Sequence, residues 1–126
     1  MPSHLLDTNI IVDTLRKNPA AVQYVDSLGD WSYSVVCKME LIAGARNQKE
    51  VDALDKYLRD FTEVALSPEI GTRACDIMKQ YAKANGMDPL DAMVAATAIT
   101  SGLKLVTQND KHFRNIKGLS FEVPEY

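Results

Sequence analysis

The chain has 126 residues, 46% hydrophobic and 25% charged, a balance that excludes a disordered polypeptide and suits one globular domain over residues 1–126. No apolar stretch approaches the roughly 20 residues that span a bilayer, and no basic segment followed by an apolar run marks a leader, so a cytoplasmic protein without a membrane anchor is expected. The net charge of −3 excludes nucleic-acid binding by bulk charge; phosphate would have to be met through metal ions, a local basic patch or a partner chain.

The first predicted strand is His4 to Asp7, an apolar run ending on a carboxylate. A helix follows from Asn9 to Lys17, broken by Asn18-Pro19. Pro19 opens a second helix, with Val22 and Val25, that stops at Gly29. Trp31 to Val36 has strand composition and near-alternation. The segment from Cys37 to Arg46 reads as a helix whose first turn holds Glu40. From Gln48 to Phe61, Val51, Leu54, Leu58 and Phe61 recur at helical spacing. A third strand spans Thr62 to Leu66. Ser67 and Pro68 then start a long helix that Asn85-Gly86 ends. Asp88 and Pro89 repeat the start signal for a helix rich in small apolar residues, closed by Gly102. Leu103 to Thr107 is a fourth strand, Phe113 to Ile116 a short helical turn, and Leu119 to Val123 a weak edge strand. Cys37 and Cys75 fit free thiols in a reduced compartment. Strands alternating with helices imply an α/β fold, a three-layer α/β/α sandwich around a central, mostly parallel sheet.

The informative acids follow strands. Asp7 ends the first, Glu40 follows the second, Asp91 lies in the first turn of the Ala-rich helix, and Asp110 follows the fourth. In a parallel sheet the strand C-termini and many helix N-termini share one edge, so these acids can meet in one crevice. Crowded carboxylates ionise cheaply only with a cation between them. Oxygen ligands without Cys or His suit Mg²⁺ or Mn²⁺ better than zinc. Such ions activate water near neutral pH and clamp an in-line phosphodiester displacement. Structural readings stand beside these. Acids in a first helical turn favourably meet the helix dipole, which would account for Glu40 and Asp91. Asp88 is a helix cap, and Asp110, Lys111 and His112 suit a solvated loop. Asp7 has no such structural job. Thr8, Asn9 and Thr107 either cap helices or hold the ligating carboxylates in place.

Leu6-Asp7-Thr8-Asn9, Met39-Glu40-Leu41-Ile42-Ala43-Gly44, Leu90-Asp91 through Ala98, and Leu105-Val106-Thr107-Gln108-Asn109 through His112-Phe113 appear in that order. Together they resemble the PIN domain, specifically the VapC-type toxins of toxin–antitoxin modules, over essentially the whole chain. The resemblance implies a PIN-like α/β/α sandwich and a Mg²⁺- or Mn²⁺-dependent endoribonuclease, commonly a homodimer, held inactive by a cognate antitoxin. Position by position, Asp7, Glu40 and Asp91 match the family's acidic cluster and are the expected metal ligands and catalytic residues. At the fourth place His112 stands where the family often has an acid, Asn109 stands where other members have one, and Asp110 lies beside it. Asp110 is carried as the fourth catalytic candidate. Asn9, Thr107 and Asn109 are expected to orient the ligands by hydrogen bonds.

The implied reaction is water attack on RNA, leaving a 5′-phosphate and a 3′-hydroxyl. Lys104, Lys111, His112, Arg114 and Lys117 make the C-terminal third locally basic and suited to guiding RNA. An apolar groove near the N-terminus would receive the antitoxin. The rival reading is a catalytically weak or inactive PIN-like binding module acting through protein contacts. A phosphatase with an Asp nucleophile would want a second acid at position 9, which is Asn9.

Overall fold

The computed structural model describes residues 2–126. In chain order the elements are β1 (His4–Leu6), α1 (Thr8–Leu15), α2 (Pro19–Leu28), β2 (Ser32–Ser34), α3 (Val35–Ala43), α4 (Gln48–Leu58), β3 (Thr62–Val64), α5 (Pro68–Asn85), α6 (Pro89–Ser101), β4 (Lys104–Val106), α7 (Asp110–Phe113) and β5 (Phe121–Glu122). The sheet runs β3-β2-β1-β4-β5, and every neighbouring pair is parallel. From β1 the chain builds outward on one side through β2 and β3, then crosses to the other side with β4 and β5. The order therefore reverses between β1 and β4, which opens a crevice at their C-terminal ends.

Pleating divides the core. Leu5 and Leu105 point to one face, where they meet Ile70, Ala74 and Ile77 of α5, the apolar face of α6, and Phe113. Leu6 and Val106 point to the other, against Ile10 and Ile11 of α1, Val25 of α2, and Leu54 and Leu58 of α4. Trp31 belongs to this second core and stacks on Phe61 with ring centroids 3.9 Å apart. Ala92, Ala95, Ala96 and Ala98 of α6 are all buried. A helix that is apolar on most sides has to be enclosed, and small side chains let α5 and the sheet approach it closely.

Several boundaries differ from expectation for local reasons. The Ser34 hydroxyl accepts from Val36 N–H at 3.0 Å, so β2 stops there and the β-branched pair Val35-Val36 enters α3. The earlier start puts Glu40 in the second turn of α3, with no acid in the first, and removes the helix-dipole account of that residue. Asp7 lies beyond β1 and caps α1, its Oδ1 accepting from Thr8 N–H at 2.8 Å; it therefore has a structural job after all. The short helix near the C-terminus is Asp110–Phe113 rather than a turn beginning at Phe113. Cys37 is buried, Cys75 is exposed, and neither is bridged. Among the described residues no helix is long and apolar enough to cross a membrane.

The enclosure of α6 leaves no room for larger side chains. Ala95→Leu, at a residue with 0% exposure, is expected to lower the unfolding free energy by about 1–3 kcal/mol. Urea denaturation reads this directly, and an unchanged midpoint would mean that the α5–α6–sheet contact has slack.

Candidate active site

Asp7 sits at the reversal point. Its backbone N–H continues the ladder to the Val106 carbonyl at 2.9 Å, which fixes the residue between β1 and β4. Its two carboxylate oxygens are held separately. Oδ1 takes the Thr8 N–H, and Oδ2 takes the Thr107 hydroxyl at 2.8 Å. The Thr107 oxygen in turn accepts from Asn109 N–H at 3.0 Å. Thr8 serves two acids: its N–H meets Asp7, and its hydroxyl donates to Glu40 Oε1 at 2.9 Å. The first residue of α1 thus ties the end of β1 to the middle of α3.

Asp91 comes from the first turn of α6. Asp88 Oδ1 accepts from Asp91 N–H at 2.9 Å, and Asp91 Oδ2 accepts from Asp88 N–H at 3.3 Å, a reciprocal capping box. The same Oδ2 lies 3.0 Å from His112 Nδ1. That nitrogen is buried and the approach lies off the line of a well-formed hydrogen bond, so the contact is a close polar pairing with an imperfect angle.

Asp7 is only 6% exposed. Burial pushes its carboxyl above the usual range; the Thr107 and Thr8 hydrogen bonds oppose this, and the charges of Asp91 and Glu40 add to it. Asp91 is also raised, first by burial, with the Asp88 N–H opposing, the Asp88 charge reinforcing and His112 opposing. Burial, with the Asp7 charge next, pushes the Cys37 thiol up to about 12, so it is no nucleophile. Among the described residues no Lys or Arg forms an ion pair with Asp7, Glu40 or Asp91.

Asp7, raised by burial and by the charges of Asp91 and Glu40, is held by neutral donors and, among the described residues, has no lysine or arginine paired to it; that is the donor chemistry that suits a hard divalent cation. The contacts made to Glu40 fall on Oε1 and those made to Asp91 on Oδ2, leaving the second oxygen of each to a ligand. Among the described residues no three Asp, Glu, His or Cys side chains converge tightly enough to hold an ion as they stand.

The remaining candidates separate. Thr107 orients Asp7 directly. Asn109 acts through its backbone N–H on Thr107, and its side chain makes no capping bond to α7. Asn9 accepts a long 3.4 Å contact from Gln108 N–H. Asp110 begins α7 and pairs with Arg114 at 3.0 Å, and it is not among the charges that raise Asp7. Of the basic residues, Lys111 and Lys117 are exposed near α7, Arg114 is engaged by Asp110, and Lys104 starts β4 at the edge away from Asp7. Sequence reasoning missed Asn85. It resembled a helix terminator, yet it is buried and donates to the His112 and Arg114 carbonyls at 3.1 and 2.9 Å.

A groove of about 760 Å³ opens beside the acids, with Thr8 and Glu40 at one end and Val12, Leu15, Leu41 and Leu54 along it. Leu15 is exposed there.

A family model described as PIN domain matches residues 4–119. The chain is 31% identical over 114 residues to Ribonuclease VapC19 of Mycobacterium tuberculosis, covering 86% of this chain and 90% of that protein. It is similar in structure to a chain of a toxin–antitoxin complex from Klebsiella pneumoniae, with a TM-score of 0.79 and 27% identity over 93% of this chain and 95% of the other. A DNA-bound VapBC from Salmonella typhimurium shares the fold at a TM-score of 0.84 and 24% identity, over 97% and 98% of the two chains.

A carboxyl held above its ordinary value of 3.8 favours the folded state only while protonated. That contribution is complete below the unfolded value and is lost as pH rises through the folded one, so at neutral pH the ionised Asp7 opposes folding. Asp7→Asn, which keeps an acceptor for Thr8 N–H, is expected to raise Tm at pH 7 in EDTA and to raise it less near pH 4. A lower Tm for the variant at pH 7 would mean that the two threonine contacts outweigh burial.

Proposed function

The chain belongs to the PIN domain family, and from that membership we propose that it is a metal-dependent endoribonuclease serving as the toxin of a toxin–antitoxin module. A ribonuclease relative and a structurally similar chain from a toxin–antitoxin complex support this reading. The observation that carries it is Asp7, a carboxylate buried where the strand order reverses, with Glu40 and Asp91 as charged neighbours and, among the described residues, no Lys or Arg paired to it.

Asp7, Glu40 and Asp91 would hold Mg²⁺ or Mn²⁺. When bound, such an ion supplies Lewis acidity, offsetting phosphate charge and making water a better nucleophile near neutral pH. The chain's own residues do the rest. Thr107 and the Thr8 N–H hold the Asp7 carboxylate so that it need not reorganise. Glu40, half-exposed and steadied by Thr8, orients the attacking water and accepts its proton. The water oxygen bonds to phosphorus as the bond to the 3′ oxygen breaks, and the departing 3′ oxygen takes a proton from solvent, leaving a 5′-phosphate and a 3′-hydroxyl. Asp110 and Asn109, on the neighbouring α7, support a second ion or the leaving oxygen. Lys111 and Lys117 draw the RNA backbone in.

The groove that ends on Thr8 and Glu40 suits an apolar segment of a cognate antitoxin. A basic side chain of that segment would meet the carboxylates and block the site. We assign the protein to the cytoplasm and to a homodimer on the same family grounds. One observation favours a second reading, a catalytically silent PIN module: among the described residues no three ligating groups converge as they stand.

Cleavage of total RNA with Mg²⁺ or Mn²⁺ separates the two readings. Asp7→Asn and Asp91→Asn are expected to lower the rate by at least about 100-fold, the upper end of losing an outer hydrogen-bond partner, and Asp110→Asn by about tenfold or less. Equal cleavage by wild type and Asp7→Asn would overturn the nuclease reading. In the groove, Ala53→Arg is expected to weaken capture of a co-expressed antitoxin by about tenfold or more, roughly 1.4 kcal/mol, as read by titration calorimetry.

A further inference from the structure

We propose that His112 is a positioning residue that fixes the carboxylate of Asp91, and that Asn85 holds His112 in place to do so. The inference rests on the metal-dependent reading above, since it assigns His112 a task at that site.

Three observations carry it. First, His112 Nδ1 is buried and lies 3.0 Å from Asp91 Oδ2. Among the described residues the only other donor to that carboxylate is the Asp88 N–H at 3.3 Å, at the long end of hydrogen bonding. Without the imidazole, Asp91 would keep one weak tether and could turn about its side-chain bonds. With it, Oδ2 has a second polar neighbour at 3.0 Å, and Oδ1 is left for a ligand.

Second, α7 has only four residues, too few to hold its own shape. It is pinned from outside. Asn85, 7% exposed at the end of α5, spends both amide hydrogens on the His112 and Arg114 carbonyls. The next residue, Phe113, is fully buried in the core. A buried amide costs free energy unless satisfied, and these two carbonyls satisfy it. The imidazole therefore projects from a backbone clamped on both sides.

Third, the opposite end of α7 is tied to the other acid. Asn109 N–H donates to the Thr107 oxygen, whose hydroxyl donates to Asp7 Oδ2. One short helix thus sets the relation between Asp7 and Asp91, which come from distant parts of the chain. His112 occupies the place where an additional acid would add negative charge; here the same place supplies a donor.

The contact requires the proton on Nδ1, and this gives a stereochemical test. An asparagine amide reproduces the Nδ1 position, whereas a glutamine amide reproduces Nε2. Mn²⁺ binding to the full chain can be counted by the electron paramagnetic resonance of free Mn²⁺, with Tm in EDTA and cleavage rate as companions. His112→Ala is expected to weaken Mn²⁺ binding by about 10–100-fold with little change in Tm. His112→Asn should stay within a few-fold of wild type, and His112→Gln should behave like His112→Ala. Should His112→Ala fold poorly, the Asn and Gln pair still decides. Wild-type affinity in His112→Ala, or equal rescue by Asn and Gln, overturns the proposal. If wild type binds no Mn²⁺, or Asp7→Asn binds it equally well, the metal reading itself fails. Loss in Asp7→Asn with retention in His112→Ala removes the positioning role alone.

Discussion

Asp7 carries its carboxylate into the interior between β1 and β4, where water cannot solvate it, and two threonines reach it from opposite sides. Thr8 is the residue that follows it; Thr107 lies a hundred positions later and arrives because β4 pairs in register with β1. Their hydrogen bonds lower the energy of the charged form but do not offset burial, so the carboxyl stays raised. The neighbourhood then follows from how this charge is accommodated. Glu40 is brought in through the Thr8 hydroxyl, Asp91 adds its field from α6, and among the described residues no Lys or Arg pairs with any of them. A fold selected for stability alone would pair or remove such a group, and keeping it accords with the proposed cation site.

Small residues and short elements serve the same end. Four of the six buried residues of α6 are alanine, which lets it pack tightly and present Asp91 from its first turn. Gly86 and Gly102 close α5 and α6 in the left-handed conformation, so each helix stops where a connection must turn. α7 is the opposite case, a helix too short to persist alone and held by Asn85 and Phe113. Rigidity at the site is therefore borrowed from the α5–α6 side of the sheet, while the apolar groove lies on the α1–α3–α4 side. Thr8 and Glu40 belong to both the groove and the site, which makes them the point where an occupant of one is felt in the other.

Local chemistry made most of the architecture legible before any coordinates. Ser67-Pro68 and Asp88-Pro89 are strong helix starts, Asn85-Gly86 and Gly102 are strong stops, and alternating strands and helices imply a parallel sheet. The errors were local competitions. Val35 and Val36 favour a strand, but Ser34 offers a cap that costs nothing and the helix takes them. Asp7 looked structurally idle because its capping of α1 depends on where that helix begins. What stayed hidden was contact across the sheet: Thr8 to Glu40, Asn85 to the α7 carbonyls, His112 to Asp91. Each joins segments more than twenty residues apart through a single polar atom, and no periodicity encodes that. The four ordered motifs, by contrast, placed the three acids at one sheet edge, since register in a parallel sheet leaves little freedom about which ends coincide.

The capping box at the head of α6 has a consequence for exchange at the amide level. Asp91 Oδ2 protects the Asp88 N–H, and Asp91 N–H is protected by Asp88 Oδ1. A ligand taken by the free Oδ1 that turned the carboxylate would expose the Asp88 N–H and leave the Asp91 N–H covered. The two amides are therefore a matched pair, one sensitive to what the carboxylate holds and one indifferent to it. Their relative protection, read by deuterium uptake in the first turn of a single helix, would follow the position of the Asp91 carboxylate.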